Sequence, residues 1–249
     1  MIELVALTQL APYFGGISHV KRFACWAAVC ALLGGVATLA HTSLAQGHAL
    51  TLDAILGHLN SSAKDFHSLS ADVTRTTVTV VVNDKSTENG TLLVRGDKML
   101  YEVTAPDPRT ILRNGDTFSI YTPGLKRVEE HNIGKNSDLA DEFLLLGFGS
   151  TGGALQKGFD IKLVGEDKLG DKSDAELELT PKSAAMAKQF SKIQIWYDQT
   201  TWLADQQQFT ETGSGDYVTV RYTKVVRNPN IPDSEFKPHW PKGTERVKE

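Results

Sequence analysis

From Leu69 onward the sequence runs in short stretches of period-two hydropathy, each closed by a turn signal, and nothing else in it narrows the fold so far. Val73–Val82 is rich in Val and Thr and ends at Asn83-Asp84-Lys85. Thr91–Arg95 passes through Gly96-Asp97 into Lys98–Thr104, and Pro106-Asp107-Pro108 punctuates next. Arg109–Arg113 and Thr117–Tyr121 flank Asn114-Gly115-Asp116, and Pro123-Gly124 follows. Leu125–Glu130, Phe159–Val164, Ala175–Leu179, Phe190–Tyr197, Trp202–Thr212 and Tyr217–Val226 continue the series. Alternation over four to ten residues places successive side chains on opposite faces of a strand, and tight turns pair neighbours antiparallel. About eleven such strands, with no strand-helix alternation, predict a mainly β chain closed as a barrel or stacked as a sandwich.

One face of those strands is apolar throughout. Met99, Tyr101 and Val103 alternate with Lys98, Leu100 and Glu102. Phe118 and Ile120 alternate with Thr117 and Ser119, Phe159 and Ile161 with Asp160 and Lys162, and Ile193, Ile195 and Tyr197 with Lys192 and Gln194. Such a face needs a cover, and two segments offer one. Leu52, Ile55, Leu56, Leu59, Ala63 and Phe66 recur at helical spacing behind the cap residue Thr51, with Asp53 placed to favour the helix dipole. Midway along the chain, residues 137–157 crowd Leu139, Phe143, Leu144, Leu146 and Phe148 between Asp138, Asp141 and Glu142 and then run through Gly147, Gly149, Gly152 and Gly153. This reads as an amphipathic helix, a flexible glycine stretch and a second helical turn. It is suited to act as a lid over an apolar cavity, and equally to plug one end of a barrel core. Periodicity does not separate a curved sheet clasping two helices from a plain β-sandwich core.

The N-terminus has the three-part layout of a secretory signal: Lys21-Arg22, the uncharged run Phe23–Ala40, and the small-residue site Ser43-Leu44-Ala45. Residues 1–45 are therefore expected to be a signal peptide and 46–249 a single exported domain. An uncleaved anchor helix is the alternative, since the run approaches the length that spans a bilayer. Both cysteines, Cys25 and Cys30, lie in the run, so the exported chain has no disulfide and no thiol nucleophile, and no lipidation cysteine follows. A net charge of -4 and a pI near 6.0 give no basic excess to track a nucleic acid.

Signals of catalysis are thin. Gly147–Gly152 spells GxGxxG, yet no βαβ unit surrounds it, so no dinucleotide site is expected. His58, His67, His131 and His239 are scattered without ligand spacing, which leaves no metal site. Glu176 and Glu178 alternate with Leu177 and Leu179 as an outward strand face does, and Glu129-Glu130 has no better claim. Neither catalytic residues nor a cofactor are expected.

Several stretches, in order, resemble the periplasmic outer-membrane lipoprotein carrier family of LolA type. They are Gly90–Arg95, Lys98–Val103 with Pro106, Arg113–Pro123, Leu177–Pro181, Phe190–Asp198, and the closing Phe236-Lys237-Pro238 with Pro241–Thr244. The resemblance implies an incomplete, half-open antiparallel barrel of roughly eleven strands with a helical lid, carrying acylated proteins across the periplasm without chemistry. Met99, Tyr101, Val103, Phe118, Ile120, Phe159, Ile161, Ile193, Ile195 and Tyr197 would line the acyl cavity, and Leu139, Phe143, Leu144, Leu146 and Phe148 would form the lid. In the family an Arg-Pro pair ties the lid closed; this chain has Arg95-Gly96-Asp97 there, which makes Arg95 the nearest counterpart of the latch. The partners implied are acylated lipoproteins or lipid, an inner-membrane release complex and an outer-membrane acceptor, with no nucleic acid and a monomeric carrier. A carrier or sensor of another lipid or acylated peptide is the rival reading.

Overall fold

A computed structural model describes residues 50–132, 134 and 146–248. Twelve strands among them form one sheet: β1 (Ser68–Thr79), β2 (Asp84–Arg95), β3 (Lys98–Ala105), β4 (Arg109–Asn114), β5 (Thr117–Thr122), β6 (Arg127–Asn132), β7 (Phe159–Leu169), β8 (Lys172–Pro181), β9 (Phe190–Asp198), β10 (Ala204–Glu211), β11 (Tyr217–Arg227) and β12 (Glu245–Lys248). Their order across the sheet is β12-β6-β5-β4-β3-β2-β1-β11-β10-β9-β8-β7. The first eleven pair antiparallel, whereas the short β12 lies parallel to β6. The sheet is open, with β12 and β7 at its edges.

Register follows the alternation of the sequence. One cross-strand row on the inner face runs Ala71, Leu92, Tyr101, Ile111 and Ile120; the next runs Leu69, Val94, Met99, Arg113 and Phe118. From the other half, Leu177 and Leu179 of β8 lie opposite Ile195 and Ile193 of β9. Buried residues from strands far apart in the sheet order join a single apolar cluster, so the sheet wraps around its inner face.

Two of the described helices cover that face, and the short helix Ala184–Ala187 adds Met186 to the same cluster. In α1 (Leu52–Lys64) the Thr51 hydroxyl accepts from Ala54 N at 3.2 Å, satisfying one of the helix's free N–H groups, and Ile55, Leu56 and Leu59 turn inward. The second, α2 (Gly152–Gly158), is capped the same way by Thr151 and buries Leu155. Its position follows from topology. The link from β6 to β7 must cross from near one edge of the sheet to the other, and its described part, from Leu146 on, lies over the inner face.

The outer face carries its own apolar patch. Leu93, Leu100 and Leu112 form a row there, covered by Ile231, Phe236 and Trp240 of the C-terminal segment, while Trp240 stacks on Tyr121 at 5.2 Å. The position of Leu100, taken from the sequence as outward, is thus also buried.

Candidate functional site

Eight of the ten residues expected at the cavity are buried in the inner cluster: Met99, Tyr101, Val103, Phe118, Phe159, Ile193, Ile195 and Tyr197. Ile120 and Ile161 are partly buried and pack against it. The structure therefore brings all ten to one surface. Ile193 and Ile195 are completely covered.

Of the five lid residues, Leu146 and Phe148 lie in the same cluster, with Phe148 edge-on to Tyr222 at 4.7 Å; Leu139, Phe143 and Leu144 fall outside the described residues. The glycine stretch after Leu146 is a pinned turn, contrary to the flexible linker expected. Gly147 takes φ +93°, its carbonyl accepts from Ala204 N at 3.0 Å, and Gln207 Nε2 donates to Leu146 O. Gln207 Oε1 in turn accepts from Tyr222 Oη at 2.8 Å, and burial pushes the Tyr222 phenol up, keeping it a donor. Beyond the turn, Gly152 N donates to Asn60 Oδ1 of α1 at 2.9 Å. The GxGxxG spelling is accounted for by this turn and by close packing on α1.

The cover thus consists of α1, the turn at 146–150 and α2, tied to one another and to β10 by a handful of hydrogen bonds. Between α1 and the turn runs a narrow seam with essentially no cavity volume, bounded by Leu59, Ala63, Phe148, Tyr197 and Trp202, and His58 stacks flat on Trp202 there with ring centres 4.3 Å apart.

Arg95 does not sit at this cover. Its inward neighbour Val94 belongs to the cluster, whereas the Arg95 guanidinium lies on the outer face, bonding Ile231 O and the Asp233 carboxylate and resting 5.3 Å from the centre of the Phe236 ring. Lys98 shares Asp233 at 2.9 Å, and the two cations hold that carboxyl below its ordinary range. The latch expected at Arg95 is corrected: alternation puts residue 95 on the face opposite residue 94, where it anchors the C-terminal segment.

Sequence reasoning missed four charges on the inner face, Arg75, Glu88, Arg109 and Arg113. Arg75 keeps the phase of Leu69, Ala71 and Val73 along β1, which was the available signal. Among the described residues no group of three or more His, Cys, Asp or Glu could hold a metal ion.

The outer membrane lipoprotein carrier protein LolA family matches residues 64–239. An outer-membrane lipoprotein carrier protein of Dechloromonas aromatica (strain RCB) is 24% identical over 192 residues, 77% of this chain and 86% of that one. Among solved structures, an uncharacterized conserved protein from Thermus thermophilus superposes with a TM-score of 0.53 at 10% identity, covering 79% of this chain and 98% of that one. A LolA superfamily protein from Nitrosomonas europaea gives 0.39 at 14% identity, over 76% and 99%. With the family matched from the last residue of α1 to residue 239, and with an open antiparallel sheet covered by helices on one apolar face, this chain belongs to the outer membrane lipoprotein carrier protein LolA family.

Proposed function

We propose that this chain is a periplasmic carrier, exported by its N-terminal signal, that binds the acyl chains of lipoproteins on the inner face of its sheet and moves them from the inner to the outer membrane without catalysis. The observation that carries the reading is the make-up of the inner face: a largely apolar surface, completely covered at Ile193 and Ile195, whose cover comes from other segments of the chain. Membership of the carrier family supports the same reading. Met99, Tyr101, Val103, Phe118, Ile120, Phe159, Ile161, Ile193, Ile195 and Tyr197 are the residues proposed to meet the chains.

The energetics of capture and release fit together. Lifting the cover exposes Ile55, Leu56, Leu59, Leu146, Phe148 and Leu155, at about 1.5–3 kcal/mol each and so about 9–18 kcal/mol in all. Burying an acyl chain of about 16 carbons returns about 0.8 kcal/mol per methylene, or about 12 kcal/mol. Near-cancellation lets the protein shield a chain that cannot cross water alone and still surrender it.

The test pairs a soluble acyl probe with membranes. Purified exported protein should bind a fluorescent fatty-acyl probe at about one per chain, return it chemically unchanged, and extract a labelled lipoprotein from inner-membrane vesicles into a soluble complex. Failure to bind the probe and failure to release the lipoprotein would together contradict the reading.

A further inference from the structure

One cross-strand row of the inner face reads Leu177, Ile195, Gln207 and Val220, from β8 through β11. Leu177 and Ile195 belong to the apolar cluster and Val220 packs against it, so Gln207 is an amide set into an apolar floor. It is 4% exposed. A leucine would fill the row without the loss of hydration that burying an amide entails.

Both ends of the amide are engaged. Its Oε1 accepts from Tyr222 Oη at 2.8 Å, and its Nε2 donates to Leu146 O in the cover. A backbone carbonyl can only accept, so Leu146 fixes the donor end of the amide toward the cover. Ala204, at the start of the same strand, donates its N–H to the next carbonyl, Gly147 O, at 3.0 Å. The two residues converge on one point: a Cβ on Gly147 would stand 2.7 Å from Gln207 Nε2 and 2.8 Å from the Ala204 Cβ. The floor thus offers two N–H groups to two successive carbonyls of the turn.

Opening the cover would withdraw those carbonyls. Gln207 and Tyr222 stay behind on β10 and β11, bonded to each other, and the amide N–H then faces the space that an acyl chain fills. Bare hydrocarbon has nothing to accept it, and a buried donor left without an acceptor is unfavourable. A chain in ester or amide linkage brings a neutral carbonyl at its head, the same kind of acceptor as the one withdrawn. Apolar pockets with a few well-placed polar groups fix the orientation of a ligand in this way.

We propose that Gln207, with the Ala204 N–H beside it, seats the ester or amide carbonyl of an acyl ligand, so that one donor serves the cover when closed and the ligand when open. This rests on the carrier reading above and adds a ligand class to it: neutral acyl esters and amides over chains without a carbonyl. Tyr222 is a positioning residue, since its hydroxyl holds Oε1 and keeps Nε2 turned toward the ligand.

The protein is titrated with three pyrene-labelled probes of one chain length: a methyl ester, an N-methyl amide, and a methyl ether that lacks the carbonyl. In Gln207→Met the preference for ester or amide over ether should fall about fivefold, the contribution of one neutral hydrogen bond in a buried site. Comparing that ratio between variant and parent cancels the probes' different affinities for water, and any loosening of the cover acts on all three alike. Whichever carbonyl probe loses more names the linkage. Gln207→Met combined with Tyr222→Phe removes both polar partners together, so the pair carries the test even if Gln207→Met alone strands the tyrosine hydroxyl and folds poorly. An unchanged ratio in both variants would overturn the seat, leaving Gln207 as a tie for the cover and the carrier standing. Binding of none of the three probes by the parent would bring down the carrier reading, and the seat with it.

Discussion

A Cβ at Gly152 would stand 2.8 Å from both the Cβ and the carbonyl oxygen of Leu56. The missing methyl is what lets α2 rest on α1, so Gly152→Ala should cost about 1–3 kcal/mol and loosen the two helices together. Denaturant melts read the loss; an unchanged midpoint would mean that the helices are not pressed so closely. On the outer face Asp174 is fully buried, with Oδ2 accepting from Leu169 N at 3.3 Å and Oδ1 without a hydrogen-bond partner among the described residues. Burial, with Asp205 and Asp198 nearby, raises its pKa. Between the ordinary aspartate value and the raised one, the native chain holds a proton that the unfolded chain has released, so stability falls as pH rises through that window. Asp174→Asn should therefore be more stable than the parent at pH 7 and lose that component of the pH dependence. Thermal melts from pH 4 to 8 would show it, and a less stable variant at pH 7 would contradict it. Residues of this kind were hard to read. Arg75 stands in a Thr-rich strand where a charge looks solvated, and only its phase with Leu69, Ala71 and Val73 betrays an inward direction.

The C-terminal segment and the cover lie on opposite faces of the sheet, and Arg95 belongs to the first. Arg95→Ala removes two hydrogen bonds and a cation-ring contact from Ile231, Asp233 and Phe236. Amide exchange should accelerate over 228–248 and stay unchanged over 146–158; acceleration at 146–158 instead would make Arg95 the latch after all. The elements themselves were largely legible, because alternation at Met99, Tyr101 and Val103 or at Ile193, Ile195 and Tyr197 fixes both strand and face. Errors arose where sequence signals conflict. Val80, Val81 and Val82 read as strand, yet the chain turns there, with Asn83 at φ +50° and Thr79 opposite Asp84. Asn tolerates the left-handed conformation that closes this turn. The outer patch was missed because Leu100 falls at an outward position, although the unbroken run Met99-Leu100-Tyr101 is the mark of a strand buried on both faces.

For the molecule as a whole, what the sequence left undecided was whether the apolar face is a permanent core or a ligand surface under a removable cover, since both bury the same residues. The cover is drawn from residues 52–64 and 146–158, is capped by Thr51 and Thr151, and is tied to the sheet near Gln207. The account requires this cover to open while the sheet stays intact. Hydrogen exchange on the protein, with and without a bound acyl probe, measures that directly. Amides of α1 and of 146–158 should exchange through an opening well below global unfolding in free energy, those of β9 only through global unfolding, and the probe should change the first set alone. Exchange of the cover at the rate of β9, unaltered by saturating probe, would show a sealed core and contradict the account.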